Sequence, residues 1–155
     1  MPSFSNPSDA IANQATDRTQ FLSQPAVIGF YIISVLFNLC LTAQLLTVGL
    51  AHFYNPVWWR THVWLVRGYS GLSLILLAWV YWVPFPKRVR TLTVSLPILL
   101  GLQFLTIHVQ TPLPFPLAIV HPLIGFALFS ASTTLVHYVW RILLPSQDKS
   151  QPNSI

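Results

Sequence analysis

The sequence predicts an all-α integral membrane protein that folds as a four-helix up-down bundle. Only 7% of its 155 residues are charged, whereas water-soluble domains usually carry about 25% charged residues. Four apolar segments follow one another along the chain, and each is long enough to cross a bilayer as a helix. The lipid bilayer is therefore the first partner that the composition predicts.

Turn signals and basic residues mark where each predicted span ends. Residues 52–61 combine an Asn-Pro turn signal with interfacial aromatic residues, and residues 84–90 contain two prolines and three basic residues. Alternating prolines in residues 111–116 predict a stiff, extended turn. Arg67 interrupts the second span, and Pro97 predicts a kink in the third. The predicted organisation is a flexible polar tail at 1–25, spans at 26–51, 62–83, 92–110 and 117–144, and a flexible tail at 145–155.

The distribution of basic residues predicts the orientation of the bundle. Four spans place both tails and the loop after the second span on one side, and most basic residues lie on that side. The positive-inside rule then predicts that both termini are cytoplasmic, in a bacterial inner membrane or a thylakoid membrane. The cytoplasmic group is Arg18, Lys87, Arg88, Arg90, Arg141 and Lys149; Arg60 and Arg67 belong to the other side.

The placement of the charges also excludes several functions. Glutamate is absent, and Asp9, Asp17 and Asp148 all lie in the predicted tails. Without a carboxylate inside the membrane, proton pumping, ion-coupled transport and a Ser/His/Asp triad are disfavoured. The net charge of +5 comes from basic residues that border the spans rather than form a stripe, so no nucleic-acid partner is predicted.

An internal repeat points to a site near the non-cytoplasmic face. Gln44 precedes His62 by 18 residues, as Gln103 precedes His121. This spacing predicts a duplicated two-helix unit, with the two histidines facing each other about an axis along the membrane normal. Gly125 lies one helical turn beyond His121 on the same helix face, which predicts clearance for a flat ligand.

A b-type haem held by His62 and His121 is the ligand that this pattern favours. Facing helices can supply two imidazoles to opposite sides of one iron, so both histidines are predicted metal ligands. Arg60 and Arg67 are predicted to pair with the anionic propionates. Gln44 and Gln103 are predicted to seek polar partners across the bundle. The expected role is electron transfer or haem handling, with a redox partner or a larger membrane complex.

At these residues the chain resembles a known group of proteins. Four features follow one another: a Gln-bearing helix, the run WWRTH at residues 58–62 with Gly68 after it, a second Gln-bearing helix, and VHPLIG at residues 120–125. This order resembles that of an uncharacterised family of small four-helix bacterial membrane proteins. Residues 26–141 are also similar, more distantly, to one four-helix half of haem A synthase.

The resemblance to haem A synthase implies one haem between histidines early in the second and fourth helices, which correspond to His62 and His121. That family also has a glutamate three residues before a histidine of its second helix, and Trp59 occupies this position here. The resemblance therefore implies haem binding or electron transfer rather than hydroxylase chemistry.

The same side chains also have simpler interpretations. His62 and His121 can form an interhelical hydrogen-bonded pair, the glutamines can act as packing contacts, and Arg67 can extend to the interface. A zinc or copper site formed by His52, His62, His108 and His121 is an alternative to the haem, but helix-end residues rarely converge on one ion, so the sequence disfavours it. His137 is predicted at the cytoplasmic interface.

The competing functional class is a non-catalytic accessory subunit or assembly factor of a larger membrane complex. In that interpretation the histidines only stabilise the bundle, and small polar residues of the fourth span face a partner. Those residues are Ser130, Ser132, Thr133 and Thr134.

Overall fold

Four long helices and one short 3₁₀ turn account for most of the residues that the computed structural model describes, which are 24–108 and 117–144. No strand occurs within these ranges, and each long helix has the length and apolarity needed to cross a membrane. The predicted all-α, four-helix, multi-pass membrane fold is therefore confirmed. The elements are α1 Gln24–Phe53, α2 Trp58–Trp82, α3 Lys87–His108, the 3₁₀ turn Leu117–Val120 and α4 His121–Leu143.

The helix starts differ from the predicted spans because helical hydrogen bonding extends beyond the strictly apolar residues. Helix α2 begins at Trp58 rather than His62, directly after a turn in which Asn55 Oδ1 accepts a hydrogen bond from the Val57 amide at 2.9 Å. Helix α3 begins at Lys87 rather than at residue 92.

The α-helical part of the last span begins at His121, with a proline in its first turn. The predicted turn at 111–116 and the tails, apart from Gln24 and Pro25 in α1, lie outside the described residues.

The four helices pack as a closed ring in which each helix contacts its two neighbours, α1 with α2 and α4, and α3 with α2 and α4. Each helix contributes several fully buried side chains to the core, among them Phe37, Leu76, Leu96 and Leu135. Large apolar side chains cover the outer surface, as expected for faces that contact lipid.

The buried positions repeat along the chain with a constant spacing of 59 residues, as between Ser73 and Ser132. Helices α1 and α3 are equivalent in this repeat, and so are α2 and α4, so that equivalent helices lie diagonally across the ring. The structure thus contains the duplicated two-helix unit that the Gln-to-His spacing predicts. The equivalent buried pairs are Phe30 and Val89, Ser34 and Thr93, Phe37 and Leu96, Leu41 and Leu100, Thr47 and Thr106, Tyr69 and Leu128, Ser73 and Ser132, Leu76 and Leu135, and Val80 and Val139.

Gly29 is needed where α1 packs against α2. A Cβ atom at this position would lie 2.8 Å from Cη2 of Trp79, so Gly29→Ala forces the indole to move. We expect the free energy of unfolding in detergent micelles to fall by about 1–3 kcal/mol, the usual effect of overpacking. Gly101→Ala is the matched control, because nothing lies within 4 Å of its added Cβ. Equal stability of the two variants would contradict this close packing.

Candidate ligand-binding cavity

A cavity of about 670 Å³ opens between the four helices at the end of the bundle where α1 turns into α2. This volume lies within the usual range of small-molecule and cofactor sites. Most lining residues occur in equivalent pairs, such as Leu41 with Leu100 and Val48 with Ile107. Both units of the repeat therefore contribute to one cavity, which is mainly apolar.

His62 lies in this cavity and is held by two residues of α1. Its Nδ1 lies 3.2 Å from Thr47 Oγ1, whose own proton is donated to the backbone oxygen of Gln44 at 2.7 Å. The Gln44 side-chain amide donates to Nε2 of His62 at 3.0 Å and to the His62 backbone oxygen at 3.0 Å. This network assigns the proton to Nδ1 and makes Nε2 the acceptor nitrogen.

His121 is held in the same way by α3. Its Nδ1 lies 3.2 Å from Thr106 Oγ1 and 3.2 Å from the backbone oxygen of Gln103. Thr106 Oγ1 donates to that same oxygen at 2.9 Å, so Nδ1 of His121 again carries the proton. Within the described ranges no group hydrogen-bonds to Nε2 of His121, which is thus available to a ligand.

Each histidine is therefore fixed within its own two-helix unit. Within the described ranges, no hydrogen bond joins His62 to His121. An imidazole that donates Nδ1–H to an oxygen and presents the Nε2 lone pair has the arrangement typical of metal-ligating histidines. The two threonines were not predicted from the sequence. The signal that would have found them is the repeated pattern Gln-x-x-Thr, which places Thr47 and Thr106 each 15 residues before its histidine.

The two glutamines each leave one acceptor unsatisfied. Oε1 of Gln44 and Oε1 of Gln103 are both buried without a hydrogen-bond partner among the described residues. Leaving a buried acceptor unpaired costs about 1–3 kcal/mol, and such groups usually bond to a water molecule or a ligand. Two equivalent orphaned oxygens beside one cavity are consistent with a site that receives a polar or hydrated occupant.

Gly125 and its counterpart explain why the two glutamine side chains differ. The Gln103 amide lies against Gly125, where an added Cβ atom would be only 2.7 Å from Nε2 of Gln103. Val66 holds the equivalent position in α2 and also lines the cavity. We infer that Gln44 is thereby directed onto Nε2 of His62. The clearance predicted for a flat ligand at Gly125 is occupied by the Gln103 side chain.

The arginines predicted at the mouth have different positions. Arg67 lines the cavity, and its Cζ lies 5.8 Å from the centroid of the Trp64 ring. Arg60 is exposed in the first turn of α2 and does not line the cavity. Trp59 does line it, and its ring meets His62 edge-on with centroids 5.4 Å apart.

The remaining histidines do not complete a larger metal site. His52 is exposed and packs against Phe53, while His108 lines the cavity with its Nδ1 bonded to the Phe104 oxygen at 2.8 Å. His137 is exposed near the opposite end of α4. In the parts of the chain that the structure describes, no group of three or more His, Cys, Asp or Glu is placed to hold one metal ion. The described residues therefore do not form the four-histidine zinc or copper site, which the sequence also disfavours.

Residues 44–109 match the model of a family of unknown function, DUF6220. The match covers less than half of the chain; it includes the first Gln-Thr-His group and the Gln103 and Thr106 pair, and it ends before His121. No curated protein and no solved structure matches the chain. The similarity to a family of unknown function agrees with the resemblance noted above, and the likeness to haem A synthase stays a prediction.

Proposed function

We propose that this protein binds one b-type haem between His62 and His121, in the service of electron transfer or haem handling. The observation that carries the proposal is that a single cavity is lined by both imidazoles, each with Nδ1 anchored and Nε2 as the acceptor nitrogen. The residues fit the group, because the cavity combines imidazoles from two diagonally opposed helices with mainly apolar walls.

His62 and His121 would hold the haem, which would supply a one-electron couple. The chain's own contribution is to orient the ligands and to exclude water. Thr47 and Thr106 fix the ring tautomer, and apolar residues such as Leu41 and Leu100 surround the site. Arg67 is available to an anionic propionate, because the described ranges contain no carboxylate to neutralise it.

The proposed orientation follows from charge. We propose that both termini are cytoplasmic and that the cavity lies near the non-cytoplasmic face of a bacterial inner or thylakoid membrane. Supporting this, the cavity occupies the end of the bundle away from the basic group formed by Lys87, Arg88 and Arg90.

The accessory-subunit alternative gains no support from the polar residues of α4. Asn38 of α1 donates to Ser132 Oγ at 3.2 Å and to Thr133 Oγ1 at 3.0 Å. Thr134 donates to the backbone oxygen of Ser130 at 2.7 Å. The hydroxyl groups of Ser132, Thr133 and Thr134 thus have hydrogen-bond partners within the chain.

Titration of the purified protein with haemin in detergent tests the proposal. We expect saturable binding at one haem per chain, with the absorption spectrum of a six-coordinate low-spin iron. A spectrum identical to that of haemin in empty micelles, at every ratio of haemin to protein, would argue for a protein that does not bind haem.

Gln44 is expected to oppose ligation at His62, because its amide occupies Nε2 of that ring. Gln44→Leu keeps the size of the side chain and removes the donor. We expect it to tighten haem binding about fivefold in the same titration, which corresponds to the net contribution of one hydrogen bond. Gln103→Leu is the matched control and should change the affinity less than about twofold, since Gln103 does not bond Nε2 of His121. Equal gains from both variants would show that Gln44 has no special role.

A further inference from the structure

A second groove, of about 330 Å³, lies between α3 and α4 at the opposite end of the bundle from the haem-binding cavity. Five of its six lining residues carry polar groups: Lys87, Arg88, Thr91, Thr134 and Tyr138, with Leu92 as the apolar exception. The described ranges contain no acidic residue that could neutralise the two cations. The walls of the groove are mainly apolar, and two of the side chains that line it, Lys87 and Arg88, carry positive charge at this end of the membrane-spanning helices.

Two hydrogen-bond donors of this groove, Arg88 and Tyr138, hold each other in place. Arg88 Nη1 donates a hydrogen bond to the hydroxyl oxygen of Tyr138, and Arg88 Cζ lies 5.7 Å from the centroid of the Tyr138 ring. Because the hydroxyl oxygen acts as acceptor here, its own proton remains available to another acceptor. The guanidinium has five N–H donors, so most of them also remain available.

Comparison with the first repeat unit shows that these polar groups are specific to one copy. The equivalent positions, again 59 residues earlier as between Trp79 and Tyr138, are all apolar or glycine. In that copy Trp79 packs against Gly29, where the second copy has Tyr138 and Arg88. The equivalents of Lys87, Arg88, Thr91, Leu92, Thr134 and Tyr138 are Ile28, Gly29, Ile32, Ile33, Ile75 and Trp79.

Membrane orientation alone does not explain this difference. Arg90 and Arg141 already supply positive charge at the same end of the bundle, and orientation requires no hydroxyl groups and no fixed arginine. Basic pockets between membrane-spanning helices on the cytoplasmic side are typical sites for anionic lipid headgroups. The phosphate is an acceptor-only group and suits a guanidinium, an ammonium and a phenol that all donate.

We propose that this groove binds the phosphate headgroup of an anionic phospholipid, with Arg88 and Tyr138 as the fixed donors and Lys87 as a mobile counter-ion. A lipid is favoured over free phosphate as the source because the groove opens between two apolar helices, whose outer surfaces can take the acyl chains. The site is separate from the haem-binding cavity, so the proposal does not depend on haem.

Native mass spectrometry of the protein in mixed micelles tests this, with equimolar phosphatidylglycerol and phosphatidylcholine as the probes. We expect the wild-type protein to retain phosphatidylglycerol preferentially. Lys87→Gln with Arg88→Gln should lower that preference by about fivefold or more. The matched control is Arg90→Gln with Arg141→Gln, which changes the net charge equally and should leave the preference nearly intact.

Three results would overturn the proposal. The first is the absence of any wild-type preference for phosphatidylglycerol, which does not depend on how any variant folds. The second is an equal loss in both double variants, which would indicate nonspecific charge attraction. The third is thermal stabilisation by inorganic phosphate as large as that by phosphatidylglycerol, which would identify free phosphate as the ligand. Tyr138→Phe, which keeps the ring, should give a smaller loss than the Lys87 and Arg88 double variant.

Discussion

Loss of either imidazole is expected to abolish the low-spin haem spectrum. His62→Ala and His121→Ala each remove one of the two nitrogen donors, and the third histidine of the cavity, His108, is exposed and has no counterpart in the first repeat unit. A haem that remained would have an open position and a high-spin spectrum. Absorption spectra of the purified variants, before and after reduction, measure this directly.

His137→Ala and His108→Ala are the controls for this pair. His137 lies at the other end of α4, and His108 is exposed at the last residue of α3, where the equivalent position in α1 is Gly49 rather than histidine. Both controls should keep the wild-type spectrum. A low-spin spectrum in His62→Ala or His121→Ala, or its loss in His108→Ala, would show that the axial ligands are assigned wrongly.

Gly125→Val is expected to reduce haem affinity by at least about tenfold. It places in α4 the residue that Val66 supplies in α2, and its Cβ would lie 2.7 Å from Nε2 of Gln103. The Gln103 amide must then move. By analogy with Gln44 in the first repeat unit, we expect it to move onto Nε2 of His121. Nε2 of His121 would then accept a hydrogen bond from an amide, as Nε2 of His62 does. The haemin titration would measure the lower affinity.

Two further variants distinguish displacement of the Gln103 amide by Gly125→Val from general misfolding. Adding Gln103→Ala to Gly125→Val removes the displaced amide and should restore part of the affinity. Gly68→Val introduces the same side chain in α2 where nothing lies within 4 Å, and it should bind haem as the wild type does. No recovery in the double variant would indicate that valine blocks the cavity by its own bulk.

The sequence is sufficient for the fold because the bilayer imposes simple rules. Apolar segments of this length must form helices that satisfy their own backbone hydrogen bonds, and four such segments predict the bundle. The helix starts at Trp58 and Lys87 were not predicted, because aromatic and basic residues at an interface look like loop residues when only apolarity is considered.

The repeat was detectable from the Gln44 to His62 spacing, but its full extent was not. Core positions such as Phe37 and Leu96 are equivalent in burial without being identical in sequence, so the pattern becomes visible only when burial is known. Local chemistry also gave no indication that Gln44 and Gln103 would take different partners. We attribute that difference to Val66 in α2 and Gly125 in α4, which hold equivalent positions.

The most direct test of a haem between His62 and His121 is the reduced-minus-oxidised absorption spectrum of the full chain purified from haem-replete membranes. We expect the bands of a low-spin haem with two imidazole ligands, at about one haem per chain. A colourless protein from those same membranes would contradict haem binding and would favour the accessory-subunit alternative.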